Sequence, residues 1–307
     1  RGAIEGDAAA AEAARLQLRS MREGGIWDHL GGGFHRYSTD ERWLVPHFEK
    51  MLYDNALLLR SYLDGHRAWP KEPLFAETAH AIARYVQREM TDAEGGYYAS
   101  QDADSEGEEG KFFIWDEADV KAALPGDEPA QKVAIDYFGI TMAGNFEDHG
   151  RPTFKTVLHE SRPISAVAAK LDMTEEAARS ALIRAQKAMF EVRERRPKPF
   201  RDEKILTSWS SLMIGAMAEA GVVMGDPALL ASAEKAMAFL EAHLMDGDRA
   251  LRLCKKVDGR WIVKSSGFLD DHAYLANAAI DLYEVTGNPR YITMARGLVS
   301  AMLDAFH

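Results

Sequence analysis

Apolar residues recur along most of the chain at the spacing of one helix face. They lie mainly three or four positions apart within residues 48–62, 76–90 and 275–282. Such spacing predicts amphipathic helices that bury one side. We therefore predict an all-α protein whose strands are confined to a few loops.

Three stretches of the chain align with one another. They begin at Leu52, Leu206 and Leu269, and each predicts a helix, a tight turn and a second helix. The turns carry Pro73, Pro227 and Pro289. Asp226 and Asn288 precede two of these prolines and are expected to cap the second helix, with Pro at its first position. The sequence therefore predicts repeated αα-hairpins.

The rest of the chain fits this repeat less completely. Residues 128–140 and 173–196 predict a weaker fourth hairpin whose second helix begins near Thr174, and a lone helix is predicted from Asp7 to Arg22. A closed ring of six hairpins would need more helices. We therefore predict one partial domain over residues 1–307, an incomplete arc whose missing helices lie in further sequence or in another chain.

Long loops connect the hairpins to one another. Two of them predict β-ribbons, at residues 95–115 and 250–265. These loops gather where the first helix of each hairpin begins, and loops on a rigid scaffold are where binding sites usually lie.

The alignment also brings polar residues to matching positions near the starts of the first helices. The two aligned sets are Asp54, Ser208 and Asp271, and then Asn55, Trp209 and His272. Helix capping explains Asp and Ser here, but it does not explain Trp209 or His272. We expect these first turns to surround the mouth of a cavity.

A dense motif precedes the first of these helices, GGGFHRYSTDERWLVPHFEKMLYDN at residues 31–55. Its glycines allow a tight turn or a close approach to a ligand, although no phosphate-binding pattern follows them. Pro46 is expected to begin the helix, with His47, Glu49, Tyr53 and Asp54 in its first turns. The candidate site residues here are His35, Arg36, His47, Glu49 and Tyr53. For the two histidines, a structural role stays open beside a catalytic one.

Two further motifs carry candidates. In SQDADSEGEEGKFFIWD, residues 100–116, Asp102 and Asp104 imitate a calcium loop, but Phe113 stands where the closing glutamate belongs. No metal is therefore predicted, and the acids are either a solvated loop or paired carboxylates beside a cavity. In RDEKILTSW, residues 201–209, Lys204 leads to Trp209, an aromatic platform of the kind that stacks on sugars.

Composition narrows the class of protein. The chain has 307 residues and a net charge of −11, which argues against nucleic acid as a partner. No apolar run is long enough to span a bilayer, so no membrane partner is predicted. The single Cys254 excludes an internal disulfide framework and favours a reducing compartment, and we predict a cytoplasmic location.

Taken together, the three motifs resemble the thioredoxin-fused proteins related to spermatogenesis-associated protein 20. The resemblance extends from about Met21 to the final helix, and Ser210 stands where Asn is usual. It implies an α/α toroid similar to six-hairpin glycosidases and N-acylglucosamine 2-epimerases. It also implies a thioredoxin-like domain in the full-length protein, which this sequence lacks. No cofactor is predicted.

Two classes of function fit this resemblance. The first is a carbohydrate-active enzyme-like domain. A glycoside hydrolase would need one protonated acid and one ionised carboxylate or activated water, and a sugar epimerase would need two bases. The candidate catalytic residues are Asp54, Asp104, Asp271, His47 and Glu49. The candidate substrate-binding residues are His35, Arg36, Tyr53, Asn55, Asp102, Lys204, Trp209 and His272.

The second class is a non-catalytic helical scaffold that binds a peptide or protein in its groove. An enzyme is expected to gather two or more titratable groups around one deep pocket, whereas a scaffold is not.

Overall fold

The computed structural model describes residues 6–148 and 150–306. Its helices are α1 (Ala8–Glu23), α2 (Leu52–Ala68), α3 (Pro73–Glu89), α4 (Glu117–Ala123), α5 (Glu128–Tyr137), α6 (Ile164–Lys170), α7 (Glu175–Arg193), α8 (Thr207–Val223), α9 (Pro227–His243), α10 (Leu269–Thr286) and α11 (Pro289–Phe306). Helices dominate the described residues, which confirms the predicted all-α class.

The strands are short, apart from one hairpin. They are β1 (Tyr37–Ser38), β2 (Pro46–His47), β3 (Lys50–Met51), β4 (Ser100–Gln101), β5 (Asp104–Ser105), β6 (Glu108–Glu109), β7 (Glu147–Asp148), β8 (Arg151–Pro152), β9 (Arg201–Asp202), β10 (Ile205–Leu206), β11 (Met245–Asp246), β12 (Arg249–Val257) and β13 (Arg260–Ser266).

The chain divides into two compact units. The first unit comprises the described residues of Arg1–Glu49 and Asp102–Phe200, and the second those of Lys50–Gln101 and Arg201–His307. Each unit is considered by itself below. The single domain over residues 1–307 stays a prediction.

The second unit is built from the three predicted hairpins. Helix α2 packs on α3, α8 on α9, and α10 on α11, while α8 also packs between α2 and α10. The Asp226 side chain accepts a hydrogen bond from Ala228 N (3.0 Å), and Asn288 Oδ1 accepts one from Arg290 N (3.1 Å). These contacts confirm both predicted caps and show how local sequence ends one helix and starts the next.

Helix α2 begins six residues later than expected. Pro46 and His47 form β2, which pairs with β1, and the helix starts only at Leu52. The prediction that Pro46 begins the helix, with His47 and Glu49 in its first turns, is therefore wrong. Burial alternates from Pro46 to Lys50, a period of two that is typical of extended chain and competes with the helical pattern that follows.

One of the two predicted β-ribbons is also corrected. Strand β4 pairs with β3 and β9, not with residues 110–115, and Trp115 instead bridges to Thr156. The ribbon at residues 250–265 is confirmed as the β12–β13 hairpin, with Lys255 opposite Ile262 and Val257 opposite Arg260.

The first unit contains α1 and α4–α7. Helices α5 and α6 pack against α7, and α4 packs against α5 and α7. Thr174 caps α7 through a hydrogen bond from Ala177 N (3.2 Å), as predicted. The two helices of the weak fourth repeat are thus present, although residues 138–163 and the short α6 separate them.

The triple glycine begins beside a buried ion pair of the first unit. Asp28 Oδ1 lies 2.6 Å from Arg193 Nη1, and both side chains are almost wholly buried. A Cβ on Gly31 would lie 2.3 Å from Arg193 Nη2, while Gly32 and Gly33 have φ of +77° and +78°. Gly31 is therefore required because the backbone passes close to Arg193. Gly32 and Gly33 then form a left-handed turn, which also favours glycine.

Candidate functional site

The first unit contains an open cavity of about 410 Å³. The β5–β6 hairpin, the start of α4 and the segments that follow β8 and α7 contribute to its walls. The lining residues are Ser105, Glu106, Glu108, Glu109, Lys111, Phe112, Ile114, Asp119, Asp148, Thr153, Lys155, Arg196 and Pro197. The acidic motif at residues 100–116 thus supplies much of one wall.

One carboxylate of this cavity holds a histidine. Glu109 Oε1 lies 2.7 Å from His47 Nδ1 and also accepts a hydrogen bond from Phe48 N (3.2 Å). The other ring nitrogen of His47, Nε2, lies 3.8 Å from Glu49 Oε2. All three titratable side chains are partly exposed. The arrangement is an imidazole between two carboxylates, which is suited to proton transfer.

The β1–β2 ribbon sets the orientation of this histidine. It places Tyr37 directly opposite His47, and their rings stack at 5.1 Å. Arg36 Nη1 donates to Glu49 Oε2 (2.9 Å), and Arg36 N donates to Glu49 O (2.8 Å). The predicted residues Arg36, His47 and Glu49 therefore lie together.

Sequence reasoning missed Glu109. Strand β6 places Glu109 opposite Asp104, and which glutamate of the EGEEG run would reach His47 depends on a hairpin register that no local signal fixes.

None of the predicted candidates of the first unit is among the residues that line the cavity, and Arg36, His47 and Glu49 reach it only through Glu109. His35 is buried, with Nδ1 2.8 Å from Phe48 O and its ring edge-on to Phe113 at 4.7 Å. Asp104 is exposed on β5, and the exposed Asp102 accepts a hydrogen bond from Ala103 N (2.7 Å). Their roles in catalysis or binding stay predictions.

The cations of the cavity are engaged by carboxylates. Lys155 Nζ lies 2.7 Å from Asp119 Oδ2 and 2.9 Å from Asp116 Oδ2. Burial opposes the charge of Lys155, but these hydrogen bonds prevail and raise its pKa. Lys111 pairs with Glu108 and, at 3.5 Å, with Glu106.

Arg196 completes this basic set. Its Nη1 donates to Phe112 O (3.1 Å) and Ile114 O (2.9 Å), and its guanidinium lies over the Trp115 ring. Burial lowers the pKa of Arg196. In the lining, five carboxylates face three cations, each of which has a carboxylate partner. The cavity therefore favours a neutral or cationic ligand over an anionic one.

In the second unit, the helix starts are tied together by Asp271. Its carboxylate is fully buried and accepts hydrogen bonds from Ser208 N (3.1 Å), Phe268 N (2.8 Å) and Arg252 Nη1 (3.0 Å). Arg252 also lies 3.0 Å from Asp270 Oδ2. Protein donors thus occupy this carboxylate, which gives it an anchoring task at the start of α10.

His272, Asn55 and Lys204 also have protein partners. Nε2 of His272 accepts from Ala250 N (3.2 Å), so its Nδ1 donates to Phe268 O (2.8 Å) in the neutral ring. Asn55 is buried and donates from Nδ2 to Met51 O (2.9 Å). Lys204 Nζ lies 2.9 Å from Asp202 Oδ2.

The predicted aromatic platform, Trp209 of α8, has an aromatic neighbour on α2. Tyr53 and Trp209 meet edge to face, with ring centroids 4.8 Å apart. Asp54 lies beside Tyr53 in the first turn of α2. The candidates are thus divided between the two units, and their convergence on one cavity stays a prediction.

Metal-ligand clusters and membrane-spanning helices are both absent from the described residues. Within residues 6–148 and 150–306, no three His, Cys, Asp or Glu side chains are grouped as metal ligands would be. Across the same ranges, no helix is both long and apolar enough to cross a membrane.

Comparison with known proteins gives close sequence relatives, although no family model matches the chain. Human spermatogenesis-associated protein 20 is 34% identical over 301 residues, which cover 91% of this chain and 38% of that protein. An uncharacterised protein of Caenorhabditis elegans is 32% identical over 299 residues, or 91% of this chain and 41% of that protein. The chain therefore spans well under half the length of these relatives.

Solved structures share the fold at low sequence identity. The unsaturated glucuronyl hydrolase of Bacillus sp. GL1 aligns with a TM-score of 0.54 and 12% identity, covering 99% of this chain and 58% of that one. A D-mannose isomerase aligns with a TM-score of 0.50 and 11% identity, covering 94% and 50%. The predicted α/α-toroid fold class is thereby confirmed, and identity this low speaks for the fold alone.

Proposed function

The chain belongs to the family of spermatogenesis-associated protein 20, and from that membership we propose that this portion is a carbohydrate-binding, enzyme-like α/α toroid. The observation that carries the proposal is the Glu109–His47 hydrogen bond of 2.7 Å at the wall of the 410 Å³ cavity. Titratable side chains gathered at a cavity are typical of an active site. The sugar-acting proteins that share the fold support the class of ligand.

Glu109 is the group proposed to act on the ligand. The Glu109 side chain lines the cavity, and its carboxylate is proposed to accept a proton from the ligand. His47 holds this carboxylate in place through Nδ1. Glu49 and the stacked Tyr37 keep the imidazole in place. We favour isomerase- or epimerase-type proton transfer, because the Glu109 carboxylate and the His47 imidazole lie within hydrogen-bond distance of each other and can serve as the two groups that such a reaction needs.

Other candidates keep a smaller part in the proposal. The repeat register supports ligand contacts by Asp54 and Trp209 in the first turns of α2 and α8. Asp271 is proposed to order the starts of α8 and α10. Asp104 lies opposite Glu109 and is retained as a second acid whose role the experiments below decide.

The cavity is proposed to take a neutral sugar. Its carboxylates outnumber its cations, and each cation is already paired with a carboxylate. Among the apolar lining residues Phe112, Ile114 and Pro197, the exposed Pro197 is proposed to contact one face of a pyranose ring. A uronic acid would meet excess negative charge here, unlike a neutral hexose.

Calorimetric titration with mannose, glucose, cellobiose and glucuronate tests this proposal. We expect a neutral sugar to bind, and Glu109→Gln to weaken binding or turnover by at least about tenfold. The matched control is Glu128→Gln, which changes an exposed glutamate of α5 that pairs only with Lys132 among the described residues. Equal loss in both variants would contradict a specific role for Glu109.

Two results of the same titration would point elsewhere. If Asp104→Asn abolishes binding and Glu109→Gln does not, the catalytic acid is Asp104. If no sugar saturates the protein, the non-catalytic scaffold becomes the better description.

The cellular setting belongs to the proposal as well. We propose a cytoplasmic location, because the single cysteine favours a reducing compartment, and a thioredoxin-like domain in the full-length chain, as the family resemblance implies. Cys254 suits this setting, because burial raises the pKa of its thiol to about 12 and keeps it protonated.

A further inference from the structure

The β12–β13 hairpin of the second unit is strongly basic within an acidic chain. Residues 249–266 contain six basic residues and a single acid, although the whole chain has a net charge of −11. Arg252 pairs with Asp270 and Asp271, and Lys256 pairs with Glu94. Among the described residues, the other four cations form no ion pair; they are Arg249, Lys255, Arg260 and Lys264.

The two faces of the hairpin differ in what they contact. Cys254 on one face is fully buried, and Trp261 beside it packs edge-on to Phe239 at 4.9 Å. The opposite face, here called the basic face, consists of Leu251, Leu253, Lys255, Val257, Arg260, Ile262, Lys264 and Ser266. Residues directly opposite in the register share a face, so this membership follows from the pairing of the strands.

The basic face combines apolar and positive side chains that remain exposed. Val257 is 46% exposed and Ile262 is 45% exposed. Lys255, Arg260 and Lys264 surround them, and no carboxylate belongs to this face. Charges at an edge strand discourage unwanted pairing, but that protective role does not account for exposed Val257 and Ile262 between them.

The edge of the hairpin adds a third feature. Within the described residues, β13 pairs with β12 and with no other strand. Half of its backbone N–H and C=O groups therefore point away from the sheet. Backbone groups in this arrangement recognise an extended peptide, which can add as a further strand, and they offer nothing comparable to a lipid or nucleic-acid surface.

We infer that β13 is a docking edge for an extended acidic peptide segment of a partner protein, with carboxylates alternating with apolar side chains. Carboxylates of the partner meet Lys255, Arg260 and Lys264, and its apolar residues cover Val257 and Ile262. The added strand pairs with the backbone of β13. The charge of the basic face selects the partner, and the edge supplies the geometry.

Fluorescence anisotropy with a short labelled peptide of alternating valine and glutamate tests this. We expect saturable binding that weakens with salt and drops about tenfold or more in the Lys255→Glu/Lys264→Glu variant. Lys187→Glu, on the exposed side of α7, is a single charge-reversal control away from the hairpin and should leave binding intact. The same peptide with N-methyl groups on alternate residues keeps its charge but cannot pair, and we expect it not to bind.

Several outcomes would overturn the inference. A valine–lysine peptide that binds equally well would remove the charge argument, and an N-methylated peptide that still binds would remove the strand argument. Binding of phosphatidylserine vesicles or single-stranded DNA in place of the peptide would identify a different class of partner. Concentration-dependent dimers lost in the double variant would identify a second copy as the occupant. If no probe binds and thermal unfolding is unchanged in the variants, the inference is wrong, and the charges serve only to prevent unwanted pairing at the edge strand.

Discussion

Glu109 of the first unit and Asp271 of the second are both carboxylates held by several protein groups, yet they differ in what remains for a ligand. Asp271 is fully buried, and backbone N–H groups and Arg252 occupy both its oxygens. Glu109 is partly exposed at a cavity, and one oxygen makes both of its contacts. A polar residue at a helix start or loop can therefore serve the fold or the ligand, and the number of protein donors it satisfies separates the two cases.

The largest expected effect follows from removing the anchoring carboxylate. Asp271→Ala leaves two backbone N–H groups and Arg252 without their acceptor, and we expect a loss of about 3 kcal/mol of unfolding free energy. Urea denaturation followed by circular dichroism measures it. Asp270→Ala, which removes a more exposed partner of the same arginine, is the control and should cost under about 1 kcal/mol. A negligible loss for Asp271→Ala would free that residue for the ligand role suggested by the repeat register.

Two glycines allow the same comparison at ion pairs. A Cβ at Gly31 would meet the buried Asp28–Arg193 pair, and a Cβ at Gly215 would lie 2.1 Å from Arg60 Nη2. Gly31→Ala should cost about 2 kcal/mol, because the buried guanidinium has no room to move. Gly215→Ala should be within about 1 kcal/mol of neutral, because Arg60 and its partner Asp281, whose Oδ2 would lie 2.2 Å away, are both partly exposed and can move, and because Ala favours the helix.

Thermal and urea unfolding of both glycine variants decide this point. Equal destabilisation by Gly31→Ala and Gly215→Ala would show that burial of the pair does not govern the cost. It would also remove the structural explanation offered here for the triple glycine.

The pH dependence of stability should distinguish a buried titratable group of the first unit, His29, from a partly exposed one such as Glu109. Burial, with the nearby charge of Arg22, lowers the pKa of His29 to about 3, against an ordinary value of ~6.5. Between these two pH values the unfolded state binds more protons than the folded state. Stability therefore rises with pH across that window and is lost as the pH falls through it.

The His29→Gln variant tests this assignment. Its unfolding free energy should depend less steeply on pH between about 3 and 6.5, by up to ~1.4 kcal/mol per pH unit. Above pH ~7 the two curves should run parallel, which serves as an internal control. An unchanged slope in the acid range would mean that other groups produce it.

Much of the fold is predictable from the sequence, because local signals and packing agree. In the second unit, apolar periodicity, Pro at helix starts and caps at Asp226 and Asn288 all favour the same hairpins. The start of α2 was missed because the alternation from Pro46 to Lys50 is short and leads directly into helical spacing. Such short extended segments are decided by tertiary pairing, here between β1 and β2.

The site was predictable only in part. The dense motif at residues 31–55 contains Arg36, His47 and Glu49, which do lie together. The partner Glu109 is 62 residues away from His47 in sequence, and its selection depends on the register of a two-residue strand. The residue type alone also could not distinguish the anchoring role of Asp271 from the ligand role proposed for Glu109, because the two carboxylates differ in the hydrogen-bond donors that surround them.

The smallest expected effect on stability is that of Glu109→Gln. Glutamine can still accept the hydrogen bond from Phe48 N and can still reach His47, and the site is partly open to solvent. We therefore expect a change in unfolding free energy within about 0.5 kcal/mol, measured by urea denaturation beside Asp271→Ala. Together with the loss of sugar binding proposed above, a near-neutral result would mark Glu109 as a residue kept for its chemistry. A loss of about 2 kcal/mol or more would instead make Glu109 an anchor like Asp271, and any loss of binding would then follow from a damaged fold.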